Sequence, residues 1–247
     1  MKPGVYEWTS SWALEKRLKI WASPEAGSTN TIAKDDTKIE IRPHLAAGEL
    51  VSAPTLYLTQ KQVQGRGRGD HVWTMAEGSS ICSWSFAVAR VPQPIFSALV
   101  GLALYEAALG IWPEIAFNVK APNDLFIERL KTAGILIETV DQGREKRTVI
   151  GVGFNVFAKP PALDTATCLA DHTRNLQESD WRSFLDSWSQ KLETAVREGL
   201  NERLSMSATE RLKVALNRHP LLKEPILRVD DRGQLHSASR IVHWHEL

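Results

Sequence analysis

The pattern of apolar and polar residues along the chain predicts alternating helices and strands. Apolar residues recur at helical spacing over 179–204, and a stretch that is apolar nearly all round, 95–109, predicts a largely buried helix. Shorter segments with β-branched and aromatic residues predict strands. These segments are 55–59, 80–88, 115–120, 125–127, 132–138 and 148–157. Because short turns join the last four, we expect them to form an antiparallel meander.

The two ends of the chain add smaller predicted elements. Residues 10–21 predict a short amphipathic helix, and residues 207–217 predict another near the C-terminus. Residues 36–53 are polar and mixed, and we expect an irregular or partly helical connection there. Two strand-like pieces, 226–229 and 240–242, flank a turn and predict a small C-terminal β module.

The composition is that of an ordinary globular protein, and it argues against several classes of protein. Thirty basic residues stand against 29 acidic ones, and a net charge of +1 argues against a protein held on nucleic acid by bulk electrostatics. Cys82 and Cys168 are the only cysteines, so no disulfide framework is expected. No apolar run approaches the roughly 20 residues that span a bilayer, and no signal peptide is recognisable. We therefore expect a cytoplasmic protein without a membrane partner.

The loop Gly65-Arg66-Gly67-Arg68-Gly69 is the most informative segment for chemistry. Glycines let a backbone come close to a ligand, and arginines offer forked donors to carboxylate and phosphate oxygens. The spacing fits neither the dinucleotide fingerprint nor a Walker loop. Taken alone, the loop is equally compatible with a solvated flexible segment.

Two further clusters lie at predicted strand ends. Lys120 to Asp124, followed by Lys131, offers two lysines and an aspartate that suit anions and a divalent cation, although Pro-Asn-Asp is also an ordinary turn former. Gly151 and Gly153 lie inside an apolar strand and indicate a bulge or a close backbone approach. Asn155 ends that strand and has an amide suited to an adenine edge. Together these segments predict a catalyst that brings two mutually repelling anions together.

Five short motifs in this order resemble the biotin–protein ligase family, in a form without an N-terminal DNA-binding domain. They are Gly27–Asn30; Gln62 with Gly65–Gly69 and Trp73; Lys120–Asp124; Lys131–Glu138; and Gly151–Val156. The resemblance covers about residues 25–157. It implies a mixed α/β (α+β) fold with a mainly antiparallel central sheet flanked by helices. It also implies an ATP-dependent ligase that forms biotinoyl-5′-AMP and transfers biotin to one lysine of a carrier.

The resemblance assigns roles position by position. Lys131 would stabilise charge between the biotin carboxylate and the α-phosphate, and Arg68 would clamp the phosphate, so both are expected to be catalytic. Asp124 would bind Mg²⁺. The residues expected to contact biotin are Ser28, Thr29, Asn30, Gln62, Arg66 and Gly134. Those expected to contact ATP or the adenylate are Gly65, Gly67, Arg68, Trp73, Lys120, Asn123 and Asn155.

The same resemblance implies domains and partners. Residues 1–205 would form the catalytic domain, and 206–247 a shortened SH3-like β module. The partner would be a biotin carboxyl carrier protein, of acetyl-CoA carboxylase or a similar enzyme. About 25 residues precede the Ser-Thr-Asn motif, too few for a helix-turn-helix domain, so no DNA binding is expected. A monomer or a homodimer is expected.

Two residues depart from the family pattern. Ala121 stands where a tryptophan is usual, which alters the expected shape of the biotin pocket, and Asp70 adds a negative charge beside the expected anion site. Two alternatives stay open: a lipoate or octanoate ligase of the same fold, and a non-catalytic homologue that binds biotin or a nucleotide.

Overall fold

The computed structural model describes residues 4–35, 43–143, 145–244 and 247. Its α-helices are α1 (Val5–Glu15), α2 (Thr29–Lys34), α3 (Phe96–Ile111), α4 (Glu178–Gly199) and α5 (Met206–Leu216). Its strands are β1 (Lys19–Ala26), β2 (Thr55–Gln62), β3 (Ser80–Ala87), β4 (Phe117–Lys120), β5 (Asp124–Ile127), β6 (Leu130–Gln142), β7 (Glu145–Phe154), β8 (Arg228–Val229), β9 (Leu235–His236) and β10 (Ile241–Val242).

Seven of these strands form one sheet in the order β1-β2-β3-β7-β6-β5-β4, and β10-β9-β8 form a small second sheet. The first two strands, β1 and β2, pair in parallel. The pairs β2–β3, β3–β7, β6–β7 and β4–β5 are antiparallel. The predicted fold class, a mixed and mainly antiparallel sheet with flanking helices and a small C-terminal β module, is therefore confirmed.

The chain divides into two compact units. The first comprises the residues up to Val91 together with Thr132–Arg182, and its core centres on β3, which is buried along its whole length. Trp84 on β3 packs edge to face against Trp12 of α1, with ring centroids 6.1 Å apart. Phe154 of β7 packs in the same way against Trp181, at 5.8 Å. These aromatic pairs hold α1 and the first turn of α4 against the strands.

The second unit comprises Pro92–Lys131 together with Ser183–Leu247. Its centre is α3, which is buried nearly all round, as its apolar sequence predicts. Trp112 packs against Phe184 of α4, with ring centroids 5.6 Å apart. Glu106 of α3 pairs with Lys191 of α4 at 3.5 Å and with Arg211 of α5 at 2.8 Å. This carboxylate connects three helices on the polar side of an otherwise apolar contact.

The N-terminal segment departs most from the sequence pattern. The helix predicted over 10–21 exists but its bounds are wrong: α1 begins earlier, at Val5, and ends at Glu15, and residues 19–21 belong to β1. Arg17, with a φ of 57°, turns the chain after α1. Trp21 then packs against Tyr57 of the neighbouring strand, with ring centroids 6.5 Å apart. Apolar residues at helical spacing run across this turn, so spacing alone merged a helix with a strand.

Smaller differences lie in other connections. The helix predicted over 179–204 ends at Gly199, and β9 adds a third strand to the two predicted near the C-terminus. Of the connection predicted over 36–53, residues 36–42 lie outside the described residues, and the rest contains no helix. The domain boundary expected at residue 205 stays a prediction. None of the helices in the described ranges is long and apolar enough to cross a membrane.

A buried arginine fixes the short helix α2 to the sheet. Arg147 of β7 is 0% exposed. Its guanidinium donates to the carbonyl oxygens of Ala33 at 2.9 Å and of Lys34 at 3.1 Å. These carbonyls lie at the C-terminal end of α2, where the helix itself offers no N–H partners. Arg147 therefore satisfies that end of the helix and places a positive charge where the helix dipole favours one.

Replacing this side chain is expected to destabilise the fold. Arg147→Met keeps most of the aliphatic volume but removes the donors to both carbonyls, so we expect a loss of about 2–3 kcal/mol in the free energy of unfolding. Urea unfolding followed by circular dichroism measures this loss. Lys146→Met is the matched control, because Lys146 is the partly exposed neighbour of Arg147 on the same strand and pairs with Asp141 at 3.6 Å. Its replacement should change stability by less than about 0.5 kcal/mol. An Arg147→Met protein as stable as the control would contradict the role of Arg147.

Candidate functional site

The start of α2 brings three of the predicted biotin residues together. Ser28 caps the helix: its backbone is extended and its hydroxyl accepts from the N–H of Thr31 at 3.5 Å. Ser28, Thr29 and Asn30 are all buried. The turn-to-helix start predicted from Gly27 to Asn30 is therefore present, and it places three short polar side chains inside the first unit.

Gln62 meets this helix start from the end of β2. Its carbonyl Oε1 accepts from the Thr29 N–H at 3.0 Å. The parallel register that pairs Gln62 with Ala26 brings the end of β2 beside the chain entering α2. Because Oε1 is turned to Thr29, the Nε2 donors of the same amide point elsewhere.

A hydroxyl chain runs from Thr29 through Ser83 to Asn30. The Oγ of Ser83, on the buried strand β3, lies 2.7 Å from Thr29 Oγ1 and 2.6 Å from Asn30 Oδ1. Ser83 has one hydroxyl proton, and Asn30 Oδ1 can only accept. Both contacts are satisfied when Ser83 donates to Asn30 and accepts from Thr29. The Thr29 hydroxyl also lies 3.4 Å from Gln62 Oε1, but its single proton goes to the shorter Ser83 contact when the Ser83 proton is on Asn30. The orientation of the Asn30 amide therefore decides where the Thr29 proton points.

Glu138 of β6 contacts three polar and charged side chains around α2. Its carboxylate accepts from Asn30 Nδ2 at 3.0 Å and Lys34 Nζ at 2.6 Å, and it pairs with Arg66 at 3.1 Å. Burial on its own raises the pKa of Glu138, but the hydrogen bonds from Lys34 and Asn30 and the charges of Lys34 and Arg66 outweigh it. The pKa of this carboxyl is therefore lower than usual, and the group is ionised at neutral pH.

The glycine–arginine loop is a small hydrogen-bonded hairpin. The N–H of Gly67 donates to the His71 carbonyl at 2.7 Å, and the N–H of Trp73 donates to the Gly65 carbonyl at 3.2 Å. A Cβ on Gly65 would lie 2.1 Å from the Trp73 carbonyl oxygen, so this position has room only for glycine. Arg68 and Asp70 are exposed near the turn of the hairpin. The loop thus has a defined backbone pairing, while its turn is exposed to solvent.

Two glycines of β7 make room for side chains of the candidate site. A Cβ on Gly151 would lie 2.3 Å from Asn30 Oδ1, and one on Gly153 would lie 2.3 Å from the Trp73 ring. Both glycines keep regular pairing with β3 and β6, and Gly153 lies opposite Gly134. The bulge considered from the sequence is therefore absent. The close approach is made by the protein's own side chains.

Asn155 lies where β7 ends, and its amide is engaged by the protein. Its Nδ2 donates to the Thr167 carbonyl at 3.2 Å, and its N–H donates to the Thr132 carbonyl at 2.8 Å. The side chain is only 2% exposed, and within the described ranges Oδ1 has no hydrogen-bond partner. These contacts leave Oδ1 as the acceptor for any further ligand.

The second unit carries the predicted metal ligand and two of the predicted anion-binding lysines. Lys120 and Asp124 face each other across the β4–β5 hairpin, whose loop contains Asn123. Lys131 Nζ lies 2.8 Å from Asp124 Oδ1. The predicted catalytic lysine and the predicted metal ligand therefore form an ion pair with each other.

Asp124 does not belong to a preformed metal cage. Within the described part of the chain, no group of three histidine, cysteine or acidic side chains could hold a metal ion. One carboxylate beside a lysine suits Mg²⁺ that arrives with nucleotide phosphates, because Mg²⁺ commonly keeps its waters and takes one or two carboxylates plus phosphate oxygens.

The sequence profile of the Biotin/lipoate A/B protein ligase family matches residues 28–155, more than half of the chain. This chain belongs to that family.

Named members of the family are similar to parts of the chain. The bifunctional ligase/repressor BirA of Bacillus spizizenii is 35% identical over 122 residues, which are 46% of this chain and 36% of the relative. The biotin–[acetyl-CoA-carboxylase] ligase of Paracoccus denitrificans is 32% identical over 141 residues, 53% of this chain and 55% of the relative. The chain thus spans less than two thirds of the length of each.

Solved structures extend the likeness in fold to most of the chain. A biotin protein ligase from Aquifex aeolicus in complex with biotin and ATP superposes with a TM-score of 0.65 and 20% identity. The superposition covers 91% of this chain and 95% of that one. At this identity the likeness shows that the two chains share the fold.

Two residues that hold the candidate site together were given no role from the sequence, Ser83 and Glu138, although Glu138 ends one of the family motifs. Ser83 lies on a strand that is apolar apart from its serines, and a serine in a fully buried strand indicates a polar partner. Glu138 ends the apolar run Ala133–Ile137, and a carboxylate in that position needs donors or cations nearby. Neither pattern names the partner, which for Glu138 includes Arg66, 72 residues away in sequence.

Gly151 provides a test of how closely Asn30 is held. Gly151→Ala forces its new Cβ against the Asn30 amide, so we expect a loss of about 1–3 kcal/mol in the free energy of unfolding. Gly110→Ala on α3 is the control, because nothing lies within 4 Å of a Cβ there and alanine should be neutral or stabilising by about 0.5–1 kcal/mol. Denaturant unfolding of both variants measures the difference. Equal stability of the two would show that Asn30 moves aside without cost.

Proposed function

We propose that this protein is a biotin–protein ligase, which activates biotin with ATP and transfers it to a lysine of a carrier protein. In the first step the biotin carboxylate attacks the α-phosphorus of ATP, and pyrophosphate leaves. In the second step the carrier lysine amine attacks the carbonyl of biotinoyl-5′-AMP, an amide forms and AMP leaves. The family match and the biotin ligases among the relatives support this reaction.

The buried polar cluster at the start of α2 is the observation that carries the proposal. The ureido ring of biotin presents two N–H donors and one carbonyl acceptor, so its recognition needs donors and acceptors in one place. Ser28, Thr29 and Gln62 supply hydroxyl and amide groups of both kinds. The dithiolane ring of lipoate and the alkyl chain of octanoate have no such groups. This cluster therefore favours biotin over those two acids.

The cationic residues supply what the first step needs. A carboxylate and a phosphate repel each other, and fixed positive charge lowers the barrier to their reaction. We assign Lys131 to the space between the biotin carboxylate and the α-phosphate, and Arg68 to the phosphate. We assign Arg66 and Gly134 to biotin, Gly65, Gly67 and Trp73 to the adenylate, and Lys120, Asn123 and Asn155 to the nucleotide.

Mg²⁺ would be held by Asp124 together with the nucleotide phosphates, and it would neutralise charge on them. The chain's own groups orient the reactants. Trp73 offers an aromatic surface already seated on β7 at Gly153. The hairpin from Gly65 to Trp73 brings the backbone and Arg68 to the adenylate. The proposed partner in the second step is a biotin carboxyl carrier domain.

The proposed function is tested by incubating the protein with biotin, MgATP and a biotin carboxyl carrier domain. We expect the intact mass of the carrier to rise by one biotinoyl group, and a carrier with its target lysine changed to arginine to stay unmodified. The same reaction with lipoate or octanoate tests the alternative ligase, because modification by either acid in place of biotin would favour that function. Biotin binding in calorimetry without any modification would favour the non-catalytic homologue.

Lys131→Ala separates binding from chemistry. Without the ammonium group, we expect biotin-dependent pyrophosphate exchange to fall by about 100-fold or more, whereas the dissociation constant for biotin should change by less than about threefold. Lys191→Ala, which removes an ion pair with Glu106 on the helices of the second unit, is the control and should keep normal exchange. Near-normal exchange in Lys131→Ala would contradict the assigned role.

A further inference from the structure

We propose that Glu138 is a positioning residue for biotin recognition, which presets the Thr29 hydroxyl and the Arg66 guanidinium without touching the ligand itself. This inference rests on the proposed function and adds to it a residue that acts through its neighbours.

The Glu138 carboxylate is fully occupied by the protein. Oε1 receives Lys34 Nζ at 2.6 Å and one Arg66 nitrogen at 3.1 Å. Oε2 receives Asn30 Nδ2 at 3.0 Å and the other terminal nitrogen of Arg66 at 3.3 Å. A carboxylate has about four lone-pair sites, and four contacts fill them. No acceptor is left for a ligand N–H, so Glu138 acts through the groups that it holds.

One of these groups is the Asn30 amide. With Nδ2 drawn to Glu138 and to the Leu136 carbonyl at 3.2 Å, Oδ1 must face Ser83. Ser83 then donates to Asn30 and accepts from Thr29. Glu138 therefore sets the direction of the Thr29 proton through two intervening side chains. The charge on the carboxylate matters here, because a neutral amide in its place offers a weaker acceptor to Asn30.

The other group is the Arg66 guanidinium. The Arg66 side chain is 44% exposed, while the Glu138 side chain is 17% exposed. The contact with the less exposed carboxylate therefore holds the guanidinium, and the rest of the arginine side chain is more open to solvent. The two terminal nitrogens meet the two carboxylate oxygens in a fork, which defines both the position and the plane of the guanidinium. Without this fork, Arg66 would sample many rotamers, and ligand binding would have to order it at an entropic cost. A glutamate that holds Arg66 in advance therefore favours biotin binding.

The test compares the steady-state constants of Glu138→Gln with those of the wild type in biotin-dependent pyrophosphate exchange. We expect the KM for biotin to rise by about tenfold, with kcat and the KM for ATP within about twofold. A merely structural role would lower the active fraction and hence kcat, and would leave the KM for biotin unchanged. Asp141→Asn is the matched control, because Asp141 lies on the same strand, is exposed and pairs with Lys146.

A double-mutant cycle shows whether Glu138 acts through Arg66. If it does, Glu138→Gln made in an Arg66→Met background should raise the KM for biotin by less than half as much as in the wild type. Additive effects would contradict the fork. Glu138→Gln/Lys34→Met keeps the local charge balanced and replaces the single variant should that one fold poorly. Ser83→Ala breaks the chain to Thr29 without any change in charge and should raise the KM for biotin by about threefold.

The outcomes separate this inference from the proposed function. A wild-type protein without biotin-dependent exchange would defeat the proposed function. An active wild type whose KM for biotin is unchanged in Glu138→Gln, in the charge-balanced double variant and in Ser83→Ala would overturn the role of Glu138 alone.

Discussion

The six-residue helix α2 depends on the sheet for its stability and its position, because an isolated helix of that length does not form in water. Its first turn is capped by its own Ser28. Its last carbonyls are satisfied by Arg147 of β7, and its middle is held through Asn30 by Ser83 and Glu138. Thr29, which is assigned to biotin, and its cap Ser28 thus lie on an element whose position is fixed by contacts from three strands. Under the proposed function, the stability of α2 and the recognition of biotin would depend on the same hydrogen bonds.

The glycines of β7 leave the space that the neighbouring side chains occupy. A strand with ordinary side chains at 151 and 153 would push away both Asn30 and the Trp73 ring. The two glycines therefore allow a helix start and a hairpin to lie directly on one strand. Because the Trp73 ring is already seated there, the hairpin is anchored at one end by this packing. It is anchored near its other end by the Arg66–Glu138 ion pair.

The sequence was informative where the determinants are local. The strand β3 and the helix α3 are predicted by their own composition, and Ser28 is a helix cap recognisable from its immediate neighbours. The bounds predicted for the helix over 10–21 were wrong because a positive φ at Arg17 interrupts a continuous apolar pattern, and only pairing with β2 reveals β1. The candidate site shows the same division. The chemical types of the site residues could be recognised in the motifs. Which of these residues contact one another could not, because that depends on which strands become neighbours in the sheet.

Opposite charges illustrate this division most directly. From the sequence, Lys131 was assigned to a reacting anion and Asp124 to a metal ion, so each residue was expected to bind a separate ligand. In the folded chain they are bound to each other, since the hairpin and the start of β6 bring them to 2.8 Å. Nothing in either motif specifies this contact, because it depends on register and on the side-chain rotamers.

With Lys131 assigned to the reacting phosphate under the proposed function, its contact with Asp124 would make anion binding an exchange of counter-ions. An arriving anion must replace a carboxylate that is part of the chain and therefore present at a high effective concentration. A simple monovalent salt ion gains little from such a replacement. A phosphate chain accompanied by its own cation offers a new partner to the lysine and to the aspartate at once. On the proposed role of Lys131, Asp124 would act as an internal competitor that disfavours the binding of small inorganic anions.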